Sequence, residues 1–507
     1  VIIRCEKETP LNNNVNNQNV TAVNTETAQD SITTAELTEQ QIQQDTINAI
    51  AESATPIQIA QLVATAQGQE MPNELSVLPI YTEIPDLVFR NAIVTCLTTQ
   101  TPLPVRGITL LGTSTSLYSC IRNLDGIVIT ETNPILSGNS IRTDLLQKIT
   151  EFQYAGTFLS QGTPIHSIVG IESMTNLETF TIMNNNLGDV GTINFNRNAH
   201  LANLNVINSG LTGINFTRNT ILKSIYINNN PDLDTISIGN NGALVYANLN
   251  NNNISHFDKI FRLSLQELHL SNNNLSGIFN LNTHSNIQRL TLNGNNFTQI
   301  RVFQNPKLYL LDISDNTALF LLDIYNNSLT RLDVSTNTAL TSLFANNNSL
   351  TRLDVSANTL LANLYLNNNS LTRLDVSANT ALSYLQVESN RLTFLNVLNN
   401  TALTDLDVRN NSLRGLNVLN NTALTDLDVN NNSLTRLDVS ENTALTRLWA
   451  SNNSLRSLNI SANTNLTFLD TNFNTSLTCI VANASQLSGS INTILIASTQ
   501  TLSDSCL

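Results

Sequence analysis

From Leu329 onward the chain repeats itself every 21 residues: LTRLDVSTNTALTSLFANNNS is followed by LTRLDVSANTLLANLYLNNNS and then by LTRLDVSANTALSYLQVESNR. Leu329, Leu350, Leu371, Leu392, Leu413, Leu434 and Leu455 head successive units. A period of this length dictates a stack of like turns, because one turn has too few apolar side chains to fold alone and buries them only against its neighbours. Each unit is two half-turns, LxxLxVxxNxxL and LxxLxxxxNxL. The alternating L-x-V points two side chains inward from a short strand, and the next Leu turns the corner into the interior. Asparagines fall into two columns, one through Asn316, Asn337, Asn358, Asn379, Asn400, Asn421 and Asn442, the other through Asn327, Asn348, Asn369, Asn390, Asn411, Asn432 and Asn453. A buried amide bonds the backbone groups that a bend leaves unpaired, so sequons such as Asn347-Asn348-Ser349 read as ladder positions rather than as glycosylation sites.

Each half matches the leucine-rich-repeat pattern L-x-x-L-x-L-x-x-N-x-L. The expected fold is therefore a leucine-rich-repeat solenoid of short parallel strands with few helices. Upstream the pattern drifts through Leu177, Leu201, Leu222, Leu244, Leu265, Ile287 and Leu308, at spacings of 24, 21, 22, 21, 22 and 21 residues. These positions place the solenoid at 165–477, roughly fourteen or fifteen turns and about 70 Å long at ~4.8 Å per strand. NPKL at Asn305 and NTAL at Asn316 stand eleven residues apart, so two long halves occur in succession. That irregularity predicts an exchange of the half-motifs between the two sides of the solenoid.

The halves LTRLDVSANTAL and LTDLDVNNNSL resemble the 21-residue leucine-rich-repeat surface proteins of Bacteroidota and, more distantly, internalins. IPDLVFRNAI from Ile84 is similar to that family's entry helix, and IHSIVGIESMTNLETF from Ile165 to its first-repeat signature. SLTCI around Cys479 and SDSC at Cys506 resemble its closing segment with paired cysteines. The resemblance implies a helical N-terminal cap at 81–164 and a C-terminal cap at 478–507 stapled by a disulfide. Cys96 and Cys120 both lie in the first cap and Cys479 and Cys506 in the second, so two local bridges are the economical pairing. Cys5 is left over. It precedes a polar, Asn-rich stretch, and residues 1–80 read as a tether with short helices within 33–68. A cysteine ahead of such a tether resembles the acylated cysteine of a bacterial surface lipoprotein, although Arg4 departs from the small residue that lipoprotein cleavage prefers. NLDGIVITE keeps only Asp125, Gly126 and Glu131 of a calcium loop and reads as a turn within the cap.

The charged fraction is 12%, about half the ordinary share, and the missing charge is replaced mostly by Asn, Thr and Ser. The net charge of −14 and the absence of a basic cluster argue against nucleic acid and against a basic membrane patch. No H-E-x-x-H, G-x-S-x-G or phosphate loop occurs, so no catalytic residue, cofactor or metal ligand is assigned.

Inward positions are fixed by packing, so recognition falls to the outward ones. In the LTRLDV half Arg331, Arg352, Arg373 and Arg436 repeat beside Asp333, Asp354, Asp375 and Asp438, and are expected to share a strand face and balance one another. In the other half one outward column reads Ser342, Asn363, Tyr384, Asp405, Asp426, Arg447 and Phe468, and the next reads Phe344, Tyr365, Gln386, Asp407, Asp428, Trp449 and Asp470. The four aspartates are expected to crowd unpaired on two adjacent strands, between Tyr365 and Tyr384 on one side and Trp449, the only tryptophan, on the other. Crowded carboxylates raise one another's pKa or recruit a cation, and aromatic rings outside a core are contact residues for proteins and sugars. Phe344, Tyr365, Tyr384, Asp405, Asp407, Asp426, Asp428, Arg447, Trp449 and Phe468 thus form the candidate ligand or partner site. The expectation is a secreted or outer-membrane-anchored protein that captures a protein or glycan, within or beside an outer-membrane complex. The alternative is a structural subunit of a surface layer or filament.

Overall fold

The computed structural model describes residues 81–98, 109–110, 117–122, 136–137, 139–155, 164–239, 241–256, 264–282 and 286–506. Cys5 and the 1–80 tether, the side chains of Cys96 and Cys120, and the 123–131 segment lie outside that set. The described turns form a leucine-rich-repeat solenoid of about 15 turns with few helices. In turn 350–370 the inward side chains are Leu350, Leu353, Val355, Leu361, Leu364 and Leu366, all buried, and the same positions recur turn after turn. One continuous apolar core runs from Ile84 to Ile491.

The turns are held on two sides by different devices. On the strand side Asn348 donates to the carbonyls of Ile324 at 2.9 Å and Ala345 at 3.2 Å and accepts the Leu329 N–H at 3.0 Å. The preceding Asn347 has φ 56°, a left-handed conformation that asparagine tolerates better than most residues, and this explains the run of three asparagines. On the opposite side Asn358 donates to the carbonyls of Val334 at 3.0 Å and Asn337 at 2.9 Å, while its own carbonyl oxygen is buried with no partner. The second device ties turns together at the cost of an unpaired acceptor.

The two devices change sides part-way along. A ten-stranded sheet runs from Thr109–Leu110 to Leu310–Asp312, and an eleven-stranded sheet runs from Ser276–Asn280 to Thr493–Leu495. The strand-side asparagines Asn230, Asn273, Asn295 and Asn316 belong to the first sheet and Asn327 and its successors to the second. The unpaired-carbonyl type runs through Asn198, Asn219 and Asn241 and resumes at Asn337 on the other side. The exchange predicted from the Asn305–Asn316 spacing is therefore present, with strands on both sides between Ser276 and Asp323.

Beyond Asp312 the LTRLDV column has no strand until Leu458–Asn459. Asp333 Oδ1 accepts the Ser335 N–H at 2.9 Å and the Ser335 hydroxyl at 2.7 Å, the same local turn that Asp312 makes with Ser314 at the end of the strand Leu310–Asp312. The expectation that the Arg and Asp columns share a strand face is thus corrected. No Arg331, Arg352, Arg373 or Arg436 ion pair occurs among the described residues.

The ends are closed differently. The helix Leu87–Thr98 caps the N-terminus, with Asp86 accepting the Phe89 N–H at 2.8 Å through one carboxylate oxygen and the His166 and Ser167 N–H groups through the other. Phe89, Phe152, Phe180 and Phe195 continue ring to ring from cap to first turns at 5.5, 6.0 and 5.4 Å. The cap also contains strands: Leu117–Arg122 pairs antiparallel with Ile149–Ala155, which in turn pairs parallel with Thr179–Met183. At the C-terminus Cys479 and Cys506 form a disulfide. There the longer amide of Gln486 takes over from asparagine, donating to the carbonyls of Ile460 and Asn463 at 2.9 Å each.

Candidate recognition face

All ten residues of the candidate site lie on the outward side of the eleven-stranded sheet, because each three-residue strand buries its central leucine and turns its neighbours out. Asp405 stands beside Asp426 and Asp407 beside Asp428. Tyr384 and Gln386 occupy the strand before them, Arg447 and Trp449 the strand after. Among these side chains lies an open depression of about 340 Å³. Asp407 and Asp428 form its floor, 8% and 9% exposed.

The aspartates are not unpaired, and this corrects the sequence-based expectation. Arg409 reaches back into the cluster, 2.7 Å from Glu388, 3.4 Å from Asp428 and 3.5 Å from Asp407. Arg447 pairs with Asp426 and lies 5.4 Å from the centre of the Trp449 ring. Arg409 brings its own positive charge to Glu388, Asp407 and Asp428. Among the described residues no group of three His, Cys, Asp or Glu is arranged to hold a metal ion. The signal for Arg409 was present in DLDVRN: it follows Asp407 by two residues and therefore emerges on the same face, one turn beyond Glu388.

Burial sets the electrostatics. It pushes the Asp407 carboxyl up to about 7, with the neighbouring Asp428 adding to the rise, and together they outweigh the Arg409 N–H and guanidinium. Asp405 and Asp428 are also raised, again chiefly by burial. Arg409 is held more firmly protonated by its hydrogen bond to Glu388. The site thus holds a carboxyl near its titration midpoint at neutral pH beside a fixed guanidinium.

The aromatic residues divide into pairs. Phe344 stacks on Tyr365 at 4.9 Å, two strands before the aspartates, and Trp449 packs on Phe468 at 5.0 Å beyond them. Tyr384 is 42% exposed beside Asp405. Two further aromatic groups escaped sequence reasoning. Phe303 stacks on Tyr325 at 4.7 Å, and on the first sheet Tyr226, Tyr246 and His269 follow one another at 4.6 and 5.5 Å. Tyr226 and His269 share one outward column and Tyr246 stands in the other, so the group is built from diagonal contacts that a column-by-column reading does not show.

Comparison with protein-family models and with curated proteins returned no match. Among solved structures the chain is similar to the functional domain of InlJ from Listeria monocytogenes, 25% identical, covering 68% of this chain and 70% of that one, with a TM-score of 0.34. It is also similar to YopM, a leucine-rich effector protein from Yersinia pestis, 24% identical, covering 55% and 83% respectively, with a TM-score of 0.31. A leucine-rich-repeat protein of Leptospira interrogans is 17% identical, covering 82% of this chain and all of its own, with a TM-score of 0.27. The fold assignment rests on this chain's own turn geometry.

Proposed function

We propose that this protein is a non-catalytic recognition protein, displayed at a bacterial surface or secreted, which captures a protein partner on the face of its eleven-stranded sheet. One observation carries the reading. Buried carboxylates, two guanidinium groups and Trp449 converge on one depression, at the place where the repeat breaks its own outward pattern. Desolvated charges beside aromatic anchors are the features that concentrate binding energy in protein interfaces. A protein is favoured over a glycan because Phe344–Tyr365 and Trp449–Phe468 cover part of one another's ring surface, and a sugar needs a free face.

Surface display rests on Cys5 as a lipid anchor, with the polar stretch behind it as the tether. Trp449→Ala and the double variant Asp405→Ala/Asp426→Ala are expected to lose at least about tenfold in capture of a surface partner, with melting temperatures within a few degrees of the parent. Capture equal to the parent by both variants would remove this face as the site. In the same preparations the anchored protein enters the detergent phase and yields an acylated N-terminal peptide by mass spectrometry; a free protein does neither.

A further inference from the structure

The two ends of the solenoid are finished differently. At the N-terminus the helix Leu87–Thr98 caps the core and buries Phe89. At the C-terminus both sheets stop at a strand with no neighbour beyond it among the described residues. Thr493–Leu495 ends the eleven-stranded sheet, and Thr501–Ser503 ends the short sheet on the LTRLDV side. Ile494 stands in register with Leu469, which is fully buried, yet is 37% exposed, because no described turn follows to cover it. Leu487 and Leu495 in the same closing segment are exposed as well.

Free strand edges are commonly protected by a lysine, a proline or a bulge that prevents pairing with another chain. Neither terminal strand has such protection. Residues 471–507 contain no lysine, arginine or proline, and their only charged side chain is Asp504. The edge is also held in place: Cys506, three residues beyond the last strand, is bonded to Cys479, the residue opposite Thr501 one turn back. Among the described non-glycine residues with left-handed backbone, Phe473 is the only apolar one, and it stands exposed one turn before the edge.

We propose that these two edges pair with the same two edges of a second copy of this chain, end to end, about a single two-fold axis. A second copy fits better than one extended segment of another protein. The terminal strands lie on opposite sides of the core, so a segment that adds to one leaves the other open. An axis drawn through both strands, perpendicular to them and to the length of the solenoid, lays each strand antiparallel on its own counterpart, and one operation satisfies both. Ile494 then meets its own counterpart across the axis, and Leu502 does the same on the other side. Each chain carries a net charge of −14, and this end brings two copies together where charge is scarcest. The axis leaves the solenoid through the eleven-stranded sheet, so both recognition faces point the same way and the pair is bivalent toward a surface partner. The pairing itself does not depend on what that face binds.

Sedimentation velocity of the purified full chain tests this. The parent is expected to pass from monomer to dimer, and no further, as its concentration rises to about 0.1 mM, because a two-fold contact closes on itself. Raising salt to about 0.5 M is expected to keep or tighten the dimer, since the contact is apolar and the net charges repel. Leu495→Lys, at an exposed edge position, is expected to weaken dimerisation at least about tenfold. Phe473→Asn, which gives that turn the residue its neighbours use, is expected to weaken it about threefold without lowering the melting temperature. Ile494→Cys, oxidised with diamide, is expected to link to its own counterpart and to yield a 494–494 peptide by mass spectrometry. A parent that stays monomeric at that concentration, a Leu495→Lys variant that dimerises as the parent does, or a dimer that yields no 494–494 peptide overturns the proposal. Trp449→Ala is expected to dimerise as the parent does, so its loss of capture and the loss of dimerisation in Leu495→Lys report on different surfaces.

Discussion

Asp333, Asp354 and Asp375 sit in the tripeptide Leu-Asp-Val on one side of the solenoid, and Asp407 and Asp428 sit in the same tripeptide on the other. All five accept the backbone N–H of the residue two positions on. Their surroundings then diverge. In the first group the serine hydrogen bonds hold the carboxyl below the usual carboxylate range, and the side chains remain exposed. In the second the strand ladder brings one aspartate against the next and buries both, so their pKa values rise. The tripeptide therefore does not decide the chemistry. What differs between the two groups is burial: Asp407 and Asp428 are 8% and 9% exposed, whereas Asp333, Asp354 and Asp375 lie open to solvent.

Removing cations separates the two sides most strongly. Arg409→Met leaves Glu388, Asp407 and Asp428 without their shared guanidinium, and at pH 8 is expected to cost about 1–3 kcal/mol by chemical denaturation, since Arg409 is partly solvated. Arg352→Met on the other side is expected to stay within about 0.5 kcal/mol of the parent. Equal losses at the two positions would erase the distinction between the faces.

A smaller effect comes from pH. Asp407 titrates at about 7 when folded, against about 3.9 for an unfolded aspartate. Between those values the folded chain binds the extra proton, so this site stabilises the protein as pH falls from about 7 toward about 4. Asp333, Asp354 and Asp375 act with the opposite sign. Their depressed pKa values contribute stability above the unfolded value, and that contribution is lost on further acidification. Asp407→Asn is expected to remove roughly 1–2 kcal/mol of the gain between pH 8 and pH 5, read as the difference between parent and variant unfolding curves. A variant with the parent's pH profile would show that Asp407 is an ordinary surface carboxylate.

The period made the solenoid, its inward leucines and its asparagine columns readable, because each is forced by a geometric requirement that recurs in every turn. The side exchange was readable from one spacing, Asn305 to Asn316. Two things were not. The LTRLDV column carries no strand between Asp312 and Leu458, although the pattern L-x-V is the same one that forms strands on the other side. The pairing of the acidic cluster depends on Arg409, which with Glu388 departs from a column otherwise rich in asparagine, and its position one turn beyond Glu388 gives it meaning.

The same Leu-Asp-Val aspartate is buried and raised in pKa on one face, and exposed and lowered on the other by its serine hydrogen bonds. Carbon-13 NMR titration of the aspartate carboxyls, assigned through Asp407→Asn and Asp333→Asn, measures this directly. A titration near pH 7 that disappears in the first variant and one below the ordinary aspartate range that disappears in the second are expected. If both carboxyls titrate together near pH 4, the two faces are chemically alike and the contrast between them does not exist.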